Sequence, residues 1–172
     1  KLSVKQKALL NRLYSRIDSH ITDLSIRGNK TKEPLLFAQK EQGEFQIYKI
    51  GDKWGELFDC AWFNLQGQVN EDALKKPLFL KIDFNCELCL FDDKGLPIKG
   101  FTNKSSTYDR SLGAPTKRYF KLNEYIARDG KINLWVDAGL NDLFGEFKND
   151  GKIECAEIVE RNLDIRKLYY DL

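Results

Sequence analysis

The chain is nearly without histidine: His20 is the one imidazole in 172 residues. That leaves almost nothing from which to build a histidine-based triad or a histidine-rich metal site. Methionine is missing altogether, even at position 1, which fits a processed chain or an excised piece of a longer one. No apolar run approaches the roughly 18 to 20 residues that a membrane-crossing helix needs, so no membrane partner is expected. Charge of one sign is lacking too. The 28 Lys and Arg face 26 Asp and Glu, for a formal net charge of +2, far from the basic profile of a nucleic-acid binder. There is no Walker or Rossmann glycine pattern, no G-x-S-x-G and no H-E-x-x-H, so the motif-borne nucleotide, hydrolase and metalloprotease chemistries go unsupported.

What is present suits one folded domain. Hydrophobic residues make up 42% of the chain and aromatics 12%, enough for a sizeable core and too much for disorder. The length is that of one domain, or of one with a short extension. The small net charge is unevenly spread: residues 1–33 sum to +5 and the remainder to −3. A basic helical face can touch RNA or an anionic membrane, but solvated faces of this kind are common and no aromatics interleave with the cations here.

The four cysteines are Cys60, Cys86, Cys89 and Cys155. Cys86 and Cys89 match C-x-x-C, a spacing used by zinc and by redox dithiols. Neither use is favoured. The other two cysteines are lone, and on a strand residues three apart point to opposite faces. Buried free thiols are expected instead, and with them a reducing, cytoplasmic setting.

Along the chain, Leu9, Leu10, Leu13, Ile17, Ile21 and Leu24 have the three-four spacing of an amphipathic helix, with Gly28-Asn29 as its stop. His20 falls at the edge of that stripe, as a helix-flank side chain. From Phe45 the texture becomes β. Phe45–Ile50 alternates, and Phe58–Leu65 is bulky on both parities, as in a strand covered on both faces. Leu78, Leu80, Ile82 and Phe84 alternate with polar residues, and Leu88 and Leu90 carry the parity on. Periodicity leaves open whether this is one strand or two broken near Asn85. Asp92-Asp93-Lys94-Gly95 reads as a hairpin turn. Its adjacent carboxylates diverge in such a turn, which speaks against a general acid and base pair. Residues 118–122, 132–138 and 153–159 are further strands, and residues 161–172 carry apolar positions that suit a helix. The polar stretch 104–116 reads as an exposed loop. The pattern predicts a mainly β protein, an antiparallel β-sandwich or barrel with an N-terminal α-helix.

Several segments, taken in order, resemble one known family. They are Trp62-Phe63, Leu80–Gly100 with Glu87 and the Gly95-Leu96-Pro97-Ile98-Lys99-Gly100 hairpin, Val136–Gly145 with Asn141-Asp142-Leu143-Phe144-Gly145, and the closing Leu168-Tyr169-Tyr170-Asp171-Leu172. They are similar to the N-terminal domain of glycoside hydrolase family 38 alpha-mannosidases of the bacterial and vacuolar-type branch, over about residues 45 to 172. The resemblance implies a jelly-roll-like sandwich preceding a (β/α) catalytic domain of the same polypeptide. It implies cleavage of α-mannosidic bonds with retention, by a carboxylate nucleophile and a divalent metal, usually zinc, that grips sugar hydroxyls. The metal and nucleophile motifs of the family have no matching positions here, so no catalytic, cofactor or metal residue is assigned.

The expected division is a helix over residues 1–30, a sandwich over 31–163, and the start of a linker over 164–172. Three roles follow: an accessory domain that supports the catalytic domain and subunit assembly into a homo-oligomer, a free-standing carbohydrate-binding sandwich, or a protein-interaction module. For sugar stacking Trp54 is the candidate, since it lies in a turn-like Gly-Asp-Lys-Trp-Gly stretch, whereas Trp62 and Trp135 sit in strands and read as core. In the 104–115 loop, Asp109 and Arg110 are candidates for contact with a neighbouring domain, against a bland ion pair that tightens the loop.

Overall fold

The computed structural model describes residues 2–103, 118–141 and 151–171, the side chain of Tyr170 excepted. Helix α1 (Val4–Ile17) begins at a capping box: Ser3 Oγ accepts from the Gln6 N–H at 3.2 Å and Gln6 Oε1 accepts from the Ser3 N–H at 2.8 Å. These bonds satisfy two groups that the first turn would otherwise leave unpaired. The helix stops at Ile17, well short of residue 30. Asp18–Asp23 forms β1 and Ser25–Thr31 forms β2. Two facts explain the false helical signal. The β1 ladder carries an irregularity between His20 and Thr22, and a bulge shifts strand parity so that apolar spacing mimics a helix. The end of α1 is also latched in place, because the Asp18 carboxylate accepts from Arg161 Nε at 2.9 Å and from the Tyr119 hydroxyl at 2.5 Å. Gly28 ends no helix; it lies within β2.

The remaining elements are β3 (Gln46–Tyr48), β4 (Lys53–Gly55), β5 (Cys60–Gln68), α2 (Glu71–Leu74), β6 (Leu78–Asp83), β7 (Glu87–Phe91), β8 (Pro97–Thr102), β9 (Tyr119–Lys121), β10 (Lys131–Gly139), β11 (Gly151–Lys152), β12 (Cys155–Arg161) and α3 (Leu163–Asp171). They make a four-stranded sheet in the order β1-β12-β6-β9 and a six-stranded sheet in the order β3-β2-β5-β10-β7-β8, with β4 and β11 as a small third pair. Every pairing among the described residues is antiparallel. The expected antiparallel β-sandwich is therefore the observed fold.

Between the large sheets lies one apolar core. Leu78, Leu80 and Ile82 of β6 and Ala156 and Ile158 of β12 face Ala61, Phe63 and Leu65 of β5, Leu134, Val136 and Ala138 of β10, and Leu88 and Leu90 of β7. The apolar parity of residues 78–90 belongs to two strands in different sheets. The chain crosses between them at Phe84-Asn85, where Asn85 takes a left-handed φ of 56° and its N–H bonds Asp83 Oδ1 at 2.9 Å. Asparagine tolerates that conformation better than most side chains. Asp83, buried at the crossing, has Arg118 Nε 2.7 Å away. Burial nevertheless raises its carboxyl above the ordinary range, with the Asn85 N–H and Arg118 pulling the other way.

The turn expected at Asp92–Gly95 is present: Asp92 N–H bonds Leu96 O at 2.9 Å and Gly95 has φ 84°. At Gly28 the demand on glycine is spatial. A Cβ there would lie 2.6 Å from the Phe63 ring and 3.2 Å from Trp62 O. Gly28→Ala is expected to cost about 2 kcal/mol in urea unfolding, since an extra methyl in a filled core forces side chains off their preferred positions. Gly100→Ala, where the new Cβ would lie 4.0 Å from Leu88 O, is expected to stay within about 0.5 kcal/mol of the parent. Equal effects at the two positions would contradict this packing.

Candidate functional site

Trp54, the aromatic expected to be open, is 2% exposed. Its indole Nε1 donates to Phe84 O at 3.0 Å, and its ring meets Phe63 edge-on at 5.3 Å. The Gly51-Asp52 part of the surrounding stretch does turn, but Lys53–Gly55 continues as β4 and pairs with β11. Gly151 of β11 makes room for the ring, since a Cβ there would come within 2.8 Å of the indole. Trp54 therefore offers no stacking platform. Trp62 and Trp135 are buried, as their strands implied, but on the outer face of the six-stranded sheet rather than between the sheets.

The outer face of the six-stranded sheet is crossed by residues 32–45, a strap tied down by named bonds. Trp62 Nε1 donates to Leu35 O at 2.9 Å. Asn29 Nδ2 donates to Lys40 O and Gln42 O at 2.9 and 2.8 Å, and its Oδ1 accepts from the Trp62 N–H. Phe37 stacks on Phe91 at 5.8 Å and lies edge-on to Trp62, while Lys40 Nζ sits 4.1 Å above Phe37. Arg27 lies over Phe45 at 4.8 Å and Trp135 at 5.7 Å. This is why β5 is bulky on both parities: one face packs in the core and the other under the strap.

Beyond the strap the same face carries a polar ladder. Asn64, buried on β5, donates to Asn133 Oδ1 and Leu134 O and accepts from Gln66 Nε2 and Arg27 Nε. Neither strap nor ladder was marked by any local motif, because each joins side chains from several separate parts of the chain. Asp59, 1% exposed, pairs with Lys32 and, at 3.9 Å, with Lys30. Burial alone would raise its carboxyl, but the Lys32 ammonium, the Glu56 N–H and Lys30 outweigh it and hold the group below the usual range.

His20 lies on β1 rather than on a helix flank. Its Nδ1 is 2.6 Å from Glu157 Oε2, and Nε2 is 3.7 Å from Asp23 Oδ1. Donor atoms of the three residues lie within 4.8 Å of one another. The set does not fit a sugar-gripping metal: the Lys81 ammonium stands 3.6 Å from Glu157 Oε1, and Glu157 Oε2 is already bonded to the imidazole. Two of the three side chains are also exposed. All four cysteines are free thiols. Cys86, just before β7, is buried and Cys89 is partly so, so the C-x-x-C does not present two thiols on one face. Asp109 and Arg110 fall outside the described residues, as does the 104–116 stretch.

The comparison that decides the family comes from sequence. Residues 21–169 match the Ams1-like family described as "Alpha-mannosidase, jelly roll domain". The chain belongs to this family. No curated protein matches it. The match takes in both large sheets of the jelly roll domain, from β2 to β12, together with most of α3. Among the described residues, no helix of the domain is long and apolar enough to cross a membrane.

One group in the jelly roll domain carries an unmet electrostatic cost. Asp137 of β10 faces outward, directly opposite Cys89 of β7 and Trp62 of β5. Burial pushes its carboxyl up to about 6, partly offset by a bond from the Ala138 N–H. Burial first, and then the Asp137 charge, raises the Cys89 and Cys60 thiols on either side. A folded-state value above the unfolded one means that the folded chain holds this proton more tightly. Stability from this group is then fully present below about pH 4 and is lost as pH rises to about 6. Allowing for solvent screening at a half-buried site, Asp137→Asn is expected to stabilise the domain by about 1 kcal/mol at pH 7 and by nothing at pH 4, read from urea unfolding at both. An equal change at the two pH values would contradict the assignment.

Proposed function

We propose that this chain is the non-catalytic N-terminal domain of an alpha-mannosidase. Its role is to support a (β/α) catalytic domain of the same polypeptide and, in an oligomer, the packing of subunits. The observation that carries this reading is the family match over residues 21–169, taken with a chain whose three tryptophans are all committed to the interior. In this reading the parent belongs to glycoside hydrolase family 38, in its bacterial and vacuolar-type branch. It hydrolyses α-mannosidic bonds of oligosaccharides with retention, and a divalent metal such as zinc is held by the catalytic domain. Four free thiols support a reducing, cytoplasmic setting. Asp109 and Arg110 belong to this proposal as contacts toward a neighbouring domain, and Arg110→Ala would then lower parent activity or change its oligomeric state.

The alternative of a free-standing carbohydrate-binding sandwich loses its support with Trp54, because a sugar-stacking ring must be exposed. The reading is tested on the full-length polypeptide with an aryl α-mannoside as substrate. Turnover that a metal chelator abolishes is expected, with none from the 172-residue chain alone. Hydrolysis by that chain itself, or a reading frame that stops directly after Leu172, would overturn it.

A further inference from the structure

Five of the twelve exposed large hydrophobic residues among the described ones lie on the two terminal helices, Val4, Leu9, Tyr14, Leu163 and Leu168, and a sixth, Leu2, directly precedes α1. Helix α1 buries Ile17 alone, with Leu10 and Leu13 half-covered, where it packs against α3 and brings the Tyr14 ring 5.5 Å from Tyr169. The joint is local. Asn162 N–H bonds Ile17 O at 2.8 Å, and Asn162 Oδ1 caps α3 through the Ile165 N–H at 3.0 Å. Helices of fourteen and nine residues are marginal by themselves in water and depend on packing. This pair packs on itself along one arc and leaves the flanks bare.

The bare flank has one sign of charge. Helix α1 carries Lys5, Lys7, Arg12 and Arg16 and no acidic residue. No described carboxylate lies within 4.0 Å of any of the four. Lys5, Arg12 and Arg16, spaced seven and four apart, fall on one stripe, and Leu9, half-exposed, lies beside it. A helix that inserts into a lipid surface needs a broad apolar face, and the centre of that face is already given to α3. A second copy of the stripe would meet it with like charge. The remaining match is a protein surface that is apolar at its centre and lined with Asp and Glu.

We infer that the α1–α3 pair is a docking surface for an acidic, apolar-centred face of the rest of the mannosidase polypeptide, with Leu9 as the anchor and Lys5, Arg12 and Arg16 as its charged rim. This rests on the function proposed above, in which the domain supports a catalytic domain of the same polypeptide.

Hydrogen exchange tests it, comparing the full-length polypeptide with the 172-residue chain. Amides of residues 9–16 are expected to exchange at least about tenfold more slowly in the full-length protein, a moderate docking energy of about 1.4 kcal/mol. The triple variant Lys5→Glu, Arg12→Glu, Arg16→Glu is expected to remove that protection, while β5 and β10 amides, which report the fold, stay unchanged. Equal exchange of α1 in the two proteins overturns the inference. So does protection in the 172-residue chain that grows with its own concentration, or that is supplied by phosphatidylserine vesicles. Mannosidase activity is measured on the same full-length sample. An active enzyme with an unprotected α1 sinks the docking surface and leaves the proposed function standing, whereas an inactive polypeptide overturns both.

Discussion

Phe63 has no exposed surface, and three rings from separate parts of the chain meet it edge-on: Phe84 at 4.8 Å, Trp54 at 5.3 Å and Tyr48 at 5.6 Å. Tyr48 comes from the edge of the six-stranded sheet, Trp54 from the small third pair, and Phe84 from the crossing between the large sheets. Edge-to-face contacts of this kind add about 0.5–1.5 kcal/mol each beyond the area they bury. The cluster also sets the local geometry. Gly28 must lack a side chain to let β2 lie against the ring, and Trp54, held there, closes a hydrogen bond onto the backbone of the crossing.

With the three tryptophans and the rings around Phe63 committed in this way, the described faces of the two large sheets have little left for ligand chemistry. The inner faces are core, and much of the outer face of the large sheet is roofed by the 32–45 strap, with Asn29 and Trp62 as its tie points. The polar ladder around Asn64 and the charge cluster around Asp59 are both internally satisfied, and each accounts for a buried polar group that would otherwise be costly. Beyond Asp137, what stays unbalanced lies on α1, where Lys5, Arg12 and Arg16 stand beside Leu9 with no described carboxylate within 4.0 Å.

Strand positions were legible wherever alternation was clean or doubled: β5, β10 and β12 lie close to where the bulky residues put them, and the Asp92–Gly95 turn carried its own chemistry. The order of segments was enough to name the family. The misreadings have physical causes. Ile21 and Leu24 extended a helical period because an irregular β1 ladder imitates it, and pairing of β1 with β12 overrides the helical preference of the sequence before it. Trp54 looked exposed because its neighbours are turn formers, while its burial depends on Gly151, nearly a hundred residues on. The break at Asn85 was beyond periodicity, since parity is the same whether a strand continues or changes sheet. The strap was invisible for a similar reason: its residues have no period, and its bonds join parts of the chain that only the fold brings together.

The buried tryptophans and the rings around Phe63 hold this domain together, which leaves them no part in reading sugars. Calorimetric titration of the 172-residue chain with α-linked mannose oligosaccharides tests it most directly. No saturable heat is expected at millimolar sugar. Saturable binding by the folded chain would contradict it, and would mean that a face described here as structural recognises carbohydrate.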